Sequence, residues 1–230
     1  MGLTQLAQQF LGMALAYDTD AGVIVNSGTV ASVNITTAGT NEIILIGILD
    51  VTRGGLSAIT VGGSAATLVN SLDLGAGNGF MYMYNFVGAT GTQSISVTRN
   101  TSSTSELGVL ALAYTGASQT GQTDSNTTNS ASATSITTSS TSVADNSWHV
   151  QWAVSTGSAI TAGTGTTDRT GSLISAGQKM GDNNAAIHPA GSNSMQWNQT
   201  SGSPLIGVIA ATIKPVAAAA SRNSNFFAFM

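Results

Sequence analysis

The residues that could carry acid–base or metal chemistry are few. The 230-residue chain has two histidines and no cysteine, so imidazole can come only from His149 and His188, and Cys-ligated zinc is excluded. His149 lies in the largely apolar run 148–154, where a packing or edge histidine is more common than a catalytic base. His188 precedes a proline and is expected in a solvated turn. Serine is abundant, but no G-x-S-x-G nucleophile motif accompanies it.

The carboxylates are also sparse. Asp18 and Asp20 form a D-x-D pair, and residues 182–184 (Asp-Asn-Asn) are rich in the oxygen ligands that calcium prefers. EF-hand spacing is absent, and turn or capping roles are the commoner use of such side chains. A glycosidase would need two carboxylates that face one cleft. The candidates for such a pair are Glu42, Asp50, Asp73 and Glu106. Because no motif joins any of these residues to a partner, the sequence predicts no enzyme, no cofactor and no metal site.

The charge of the chain limits its partners. Charged residues make up 7% of the chain and the net charge is −4, with basic residues scattered singly, so a nucleic-acid partner is not expected. A surface with so little charge is poorly protected against self-association. We therefore expect a homo-oligomer that also contacts other structural proteins.

Short apolar or alternating runs between glycine-rich turns predict β-strands from residue 22 onward. Residues 42–49 and 107–114 are apolar almost throughout, which indicates strands buried on both faces. A two-residue hairpin turn is predicted at Gly62 and Gly63. The polar tract 117–142 predicts one edge strand near 132–138, and 175–194 predicts a loop. Neither helical periodicity after residue 20 nor a convincing internal repeat is apparent.

Aromatic side chains could form a sugar-binding surface. Phe80, Tyr82, Tyr84 and Phe86 alternate along one predicted strand and therefore share a face. Tyr82 and Tyr84 are candidates for stacking on a glycan, although core packing is the commoner role of such a row. The same two alternatives apply to Trp148, Trp152 and Trp197.

Apolar residues near both ends of the sequence predict docking to a partner. Residues 3–16 have the spacing of a short amphipathic helix. Its docking side chains are Leu3, Leu6 and Phe10. A secretory signal is the alternative, but the first basic residue is Arg53. The sequence has no run of about 20 apolar residues, so no membrane-spanning helix is predicted. After an alanine-rich linker come Phe226, Phe227, Phe229 and Met230. We expect these four side chains to dock on a neighbouring subunit; the alternative is that they fold back onto their own sandwich.

Four strand-and-turn motifs resemble a known group of modules. They are ITVGGSAATLV (59–69), ATGTQSISVT (89–98), LGVLALAYTGASQT (107–120) and SPLIGVIAATIKP (203–215). Together they resemble jelly-roll, concanavalin-like β-sandwich modules of phage structural proteins and bacterial surface proteins, over about residues 20–215. The resemblance implies a structural or adhesive module and carries over no catalytic residue.

These observations predict an all-β protein with an antiparallel, jelly-roll-like β-sandwich. The expected organisation is a docking segment over 1–20, a sandwich domain over 21–215, and a linker with an extended hydrophobic tail over 216–230. The expected function is that of a virion protein made in the host cytoplasm, such as a phage capsid-decoration, fibre or tail-associated component. The alternatives are a carbohydrate-binding adhesive module and a subunit of a cell-surface filament.

Overall fold

The computed structural model describes residues 14–171 and 173–217. Within these ranges all regular structure is β-strand, which confirms the all-β prediction. A helix long and apolar enough to cross a membrane does not occur there. The helix predicted over 3–16 falls outside the described residues except for 14–16, and Ala16 already belongs to a strand. The sandwich therefore begins inside the segment predicted to dock.

The first half of the chain forms two antiparallel sheets. Its strands are β1 (Ala16–Val25), β2 (Gly28–Thr37), β3 (Ile43–Asp50), β4 (Leu56–Val61), β5 (Ser64–Ala65), β6 (Thr67–Asp73), β7 (Phe80–Val87), β8 (Gly91–Ser103) and β9 (Leu107–Thr115). The first inner sheet has the order β1-β9-β3-β7-β6, and the first outer sheet has the order β2-β8-β4-β5. Every pairing in both sheets is antiparallel.

The second half of the chain forms two further antiparallel sheets. Its strands are β10 (Ser125–Ser132), β11 (Ser135–Thr141), β12 (Trp148–Ser155), β13 (Ile160–Ala162), β14 (Thr167–Asp168), β15 (Gln178–Asp182), β16 (Ser192–Gln199) and β17 (Leu205–Ile213). The second inner sheet has the order β10-β17-β12-β15-β14, and the second outer sheet has the order β11-β16-β13.

The four sheets stack as outer, inner, inner and outer layers, with a hydrophobic core between each adjacent pair. The central core joins the two inner sheets and contains Leu45 of β3 and Trp152 of β12. A second core lies between the first inner and first outer sheets. A smaller third core joins the second inner and second outer sheets around Trp197. The central strands of each inner sheet are therefore buried on both faces.

Strand β3 shows why the inner strands are apolar without alternation. Ile43 and Leu45 point into the central core, whereas Ile44 and Ile46 point into the first sandwich. All eight residues of β3 are buried. This confirms the prediction that residues 42–49 are buried on both faces, and β9 follows the same pattern.

The two halves of the described chain have the same strand order, so the expectation of no internal repeat is wrong. Strands β1, β2, β3 and β4 correspond to β10, β11, β12 and β13, and strands β6 to β9 correspond to β14 to β17. Only the two-residue strand β5 has no counterpart among the described strands. The repeat was hidden because equivalent positions carry different residue types.

Contacts between the inner sheets follow an approximate two-fold axis. When the first half is superposed on the second, Gly108 of β9 corresponds to Gly207 of β17. Following the strand pairing from these two glycines, Met81 of β7 corresponds to Gln178 of β15. A Cβ atom built on Gly108 would collide with Gln178, and one built on Gly207 would lie 3.0 Å from the sulfur of Met81. Such reciprocal contacts are the signature of a two-fold interface.

The predictions for two polar segments need correction. The tract 117–142 contains the predicted edge strand, as β11, but also a second edge strand, β10, because edge strands need few aliphatic side chains. The segment 175–194 contains β15, which is fully buried although it is polar. Its charged side chains have partners, as in the Lys179–Asp168 ion pair at 3.5 Å, and pairing is what makes such burial tolerable.

The predicted glycine hairpin is confirmed, and it ends the first outer sheet. Gly62 and Gly63 have φ values of 57° and 83°, and the flanking Val61 and Ser64 pair across the turn. Two consecutive positive φ angles fit the type I′ turn. Because β5 is only two residues long, the outer sheet stops early and leaves part of β7 uncovered.

Candidate assembly site

The two ends of the described chain meet at one loop after strand β9. Ala16 pairs with Thr115 at the start of β1. Val216 donates a backbone hydrogen bond of 2.9 Å to the carbonyl of Gly116. A Cβ atom on Gly116, whose φ is +76°, would collide with the carbonyl of Ala14. Both segments outside the described residues therefore join the fold at Gly116.

Hydrogen bonds hold this loop, which we call the exit loop (residues 116–122). Gly116 donates to the Thr40 carbonyl at 3.0 Å, and Ser118 donates to the Lys214 carbonyl at 2.9 Å. The Gln122 side chain donates to the same carbonyl at 2.7 Å. The sequence marks this loop by a glycine directly after an apolar strand.

The predicted docking side chains lie outside the described residues. They are Leu3, Leu6, Phe10, Phe226, Phe227, Phe229 and Met230. Their docking role stays a prediction. What the fold adds is that the segments carrying them, 1–13 and 218–230, are attached side by side at the exit loop.

A buried carboxyl lies beside the exit loop. Glu42 is fully buried, and its backbone carbonyl accepts hydrogen bonds from Gly88 at 3.0 Å and from the Gln119 side chain at 3.3 Å. Burial, and after it the charge of Asp18, raises the pKa of Glu42 to about 7. This end of the first inner sheet therefore carries a group that titrates near neutral pH.

A polar cluster joins the two halves along their shared face. The buried carboxylate of Asp182 accepts hydrogen bonds from Arg169 at 2.8 and 3.0 Å and from the Tyr114 hydroxyl at 2.8 Å. The Arg169 guanidinium lies 4.6 Å from the centroid of the Tyr17 ring. Burial raises the pKa of Tyr114, and the nearby Asp182 adds to this effect. The cluster orients β15 against β1 and β9, and its groups all have protein partners.

A row of half-buried aromatic rings lies where the first outer sheet stops. We call it the aromatic strip: Phe80, Tyr82, Tyr84 and Phe86 of β7, with Leu68 of β6. The rings of Phe80 and Tyr82 stack at 4.9 Å, and those of Tyr82 and Tyr84 are 6.5 Å apart. The predicted shared face is confirmed, since the alternate residues Met81 and Met83 point into the central core. A glycan-stacking role for Tyr82 and Tyr84 stays a prediction.

The tryptophans do not form a surface for stacking, which corrects the expectation for Trp148, Trp152 and Trp197. Trp152 and Trp197 have no exposed surface, and Trp148 is 9% exposed. The Trp197 indole donates to the Gln151 side chain at 2.9 Å. Their large rings fill the cores around the second inner sheet, and a buried ring offers no face to a sugar.

The histidines occupy different environments. His149 is fully buried in the second sandwich and hydrogen-bonds Ser140. Burial lowers its pKa to about 4, so the ring is neutral at physiological pH. The side chain of His188 is 64% exposed and lies 3.6 Å from the Asp145 carboxylate. The structure does not bring the two imidazoles together.

The oxygen-rich segments act in turns and caps. Asp18 accepts a hydrogen bond from the Ala38 backbone at 2.8 Å, and Asp20 accepts one from the Tyr17 hydroxyl at 2.8 Å. Asn183 accepts one from the His149 backbone at 3.1 Å. Within residues 14–171 and 173–217, no three acidic or histidine side chains come together as metal ligands.

Comparisons with known proteins add little. No family model matches the chain, and no curated protein matches it. Among solved structures, the chain is similar to the major capsid protein P2 from bacteriophage PM2, with 9% sequence identity and a TM-score of 0.31. The match covers 91% of this chain and 99% of that protein. A likeness this distant carries no inference about what the present chain does.

Proposed function

We propose that this protein is a non-enzymatic structural subunit that assembles through its two terminal segments. The form we favour is a virion component made in the host cytoplasm, such as a capsid-decoration, fibre or tail-associated protein. The resemblance of its four strand-and-turn motifs to phage structural modules supports this form. A subunit of a cell-surface filament is the alternative form of the same function.

The observation that carries the proposal is the shared attachment of both segments at the exit loop. Ala14 and Val216 both contact Gly116, so segments 1–13 and 218–230 continue from neighbouring points of the described fold. Burying each phenylalanine ring of the tail contributes about 1.5–3 kcal/mol. Three such rings beside a second apolar segment provide enough burial to hold two subunits together.

The outer faces of the stack also favour close packing between subunits. Across the first outer sheet, Thr36 and Thr92 hydrogen-bond at 2.9 Å. Across the second, the Ser139 and Ser194 hydroxyls are 2.6 Å apart. Both faces are built largely from hydroxyl and amide side chains, so neighbouring copies can approach without the repulsion of like charges.

The test is to remove the aromatic character of the tail. Changing Phe226, Phe227 and Phe229 together to Ser is expected to abolish oligomers in sedimentation velocity and electron microscopy, while the circular dichroism of the sandwich stays unchanged. The matched control changes Ser221, Asn223 and Ser224 to Ala, which alters the same segment but leaves its rings in place.

Two results would contradict the proposal. One is full assembly of the triple Ser variant even when residues 1–13 are also removed. The other is turnover of a substrate by the purified protein.

A further inference from the structure

The aromatic strip is a specific surface of the first half of the chain. Its position follows from the early end of the first outer sheet, because the two-residue strand β5 does not extend across β7. Leu68 pairs directly with Tyr84 and is 50% exposed. The strip thus presents rings and an aliphatic side chain on one face along two neighbouring strands.

The second half of the chain has no equivalent surface. Through the strand registers, the counterparts of Tyr82 and Tyr84 are Lys179 and Gly181. A Cβ atom built on Gly181 would lie 3.1 Å from the ring of Trp197, so the second half covers this position with a ring of its own. The first half leaves the corresponding position open.

Most of the other described aromatic rings are unavailable to a partner. Four of them are buried: Tyr114, Trp148, Trp152 and Trp197. Tyr17 is half-buried beneath the Arg169 guanidinium. Among the described residues, accessible aromatic surface is therefore concentrated in the strip.

The tail segment 218–230 has the matching chemistry and spacing. In an extended chain Phe227 and Phe229 lie on the same face, about 6.6 Å apart. The ring centroids of Tyr82 and Tyr84 are 6.5 Å apart. Two rings of the tail can therefore meet two rings of the strip in register, and aromatic rings attract one another when their centroids come within about 4.5–7 Å.

The attachment point of the tail and the strip lie on different strands of one sheet. The exit loop follows β9, whereas the strip lies on β7 and the edge strand β6, which are two and three strands away. These two or three strand spacings amount to about 10–14 Å. Thirteen extended residues span up to about 43 Å, which is ample for reaching the strip of a neighbouring subunit.

We propose that residues 226–230 of one copy dock on the aromatic strip of a second copy. This rests on the proposed function and names the surface that receives the tail. Because the tail and the strip are two different surfaces, the contact is head-to-tail: each subunit gives a tail and receives one. Repeating such a contact produces a closed ring or an open chain of subunits.

The test uses the full-length chain and one substitution in the strip. Leu68→Asp places a charge on the strip at a half-exposed position, and it is expected to weaken self-association at least tenfold in sedimentation velocity. The matched control is Val30→Asp on the first outer sheet, where Val30 is 46% exposed; it is expected to leave association unchanged. Unchanged circular dichroism and thermal midpoint verify that both variants fold.

A mixing experiment identifies the occupant. The Leu68→Asp chain still supplies a tail, and the Phe226→Ser, Phe227→Ser, Phe229→Ser chain still supplies a strip. Each alone is expected to remain monomeric, and an equal mixture is expected to form a species of two chains and nothing larger, because only one intact contact can form.

Three outcomes would overturn the inference. If Leu68→Asp assembles like the wild type while the tail variant does not, the tail docks elsewhere and the proposed function survives. If the mixture stays monomeric although the wild type assembles, the tail of one chain does not dock on the strip of another. If Leu68→Asp assembles normally but abolishes binding of the wild type's ligands on a glycan array, the occupant of the strip is a glycan.

Discussion

The buried carboxyl of Glu42 makes the stability of this protein depend on pH in an unusual direction. Its pKa rises from 4.5 in the unfolded chain to about 7 in the fold, chiefly through burial. Between these two values the folded state binds the proton more tightly than the unfolded state does. The contribution of Glu42 to stability is therefore complete below pH 4.5 and is lost as the pH rises to about 7.

The size of this effect follows from the change in pKa. Each tenfold change in proton affinity corresponds to about 1.4 kcal/mol, so the full change corresponds to about 3 kcal/mol. Relaxation of the protein around a buried charge offsets part of its cost. We therefore expect Glu42→Gln to raise the free energy of unfolding by about 1–3 kcal/mol at pH 8 and to change it little at pH 4.5.

The measurement is urea denaturation of wild type and variant from pH 4.5 to 8, at one protein concentration. The difference between the two chains is the informative quantity, because other groups titrate equally in both. The control is Asp145→Asn, since the Asp145 side chain is 55% exposed; it makes the same carboxyl-to-amide change without burial. For 230 residues, 1 kcal/mol corresponds to a shift of about 2–4 °C in the thermal midpoint.

One result would refute the reasoning. If Glu42→Gln and the wild type lose stability in parallel over this range, the Glu42 carboxyl has its ordinary pKa, and the end of the first inner sheet is open to water.

The remaining predictions concern the second sandwich and the axis between the halves. Because burial lowers the pKa of His149 to about 4, the contribution of His149 to stability is expected to be lost as the pH falls from 6.5 towards 4. The stability of His149→Gln relative to the wild type should therefore rise over this range in urea denaturation followed by circular dichroism; a constant difference would contradict this. Gly47→Ala places a Cβ atom 2.6 Å from the Trp152 ring, and it is expected to cost about 1–3 kcal/mol in urea denaturation. In Gly191→Ala the nearest atom would lie 3.7 Å from the added Cβ atom, so the free energy of unfolding should stay unchanged. Equal losses of stability in the two glycine variants would refute the close contact between Gly47 and Trp152.

The buried apolar strands could be predicted from sequence because nearly every residue in them is hydrophobic. The run 42–49 has a large aliphatic at almost every position, and such a run fits only a strand covered on both sides. The hairpin turn at Gly62 and Gly63 could also be predicted, because two consecutive positive φ angles strongly favour glycine.

Polar buried strands could not be predicted from sequence because their partners are distant. Strand β15 is buried through Asp182 and Lys179, whose partners Arg169 and Asp168 are recognisable only once the chain is folded. The tryptophans were equally ambiguous, since Trp197 in an alternating strand fits a core as well as a surface. The exit loop depends on which strands become neighbours, and no local pattern contains that information.

The contact on the approximate two-fold axis explains why the two halves of one chain differ. Gly47 and Trp152 are counterparts, and they pack directly against each other. In a dimer of identical halves the same residue would stand on both sides of the axis: two glycines would leave a void, and two tryptophans would overlap. One chain that holds both halves can place a large residue opposite a small one. For the same reason a chain can carry one aromatic strip and one tail. Such a chain can form a directional, head-to-tail assembly, whereas a self-complementary two-fold surface can form only a closed pair.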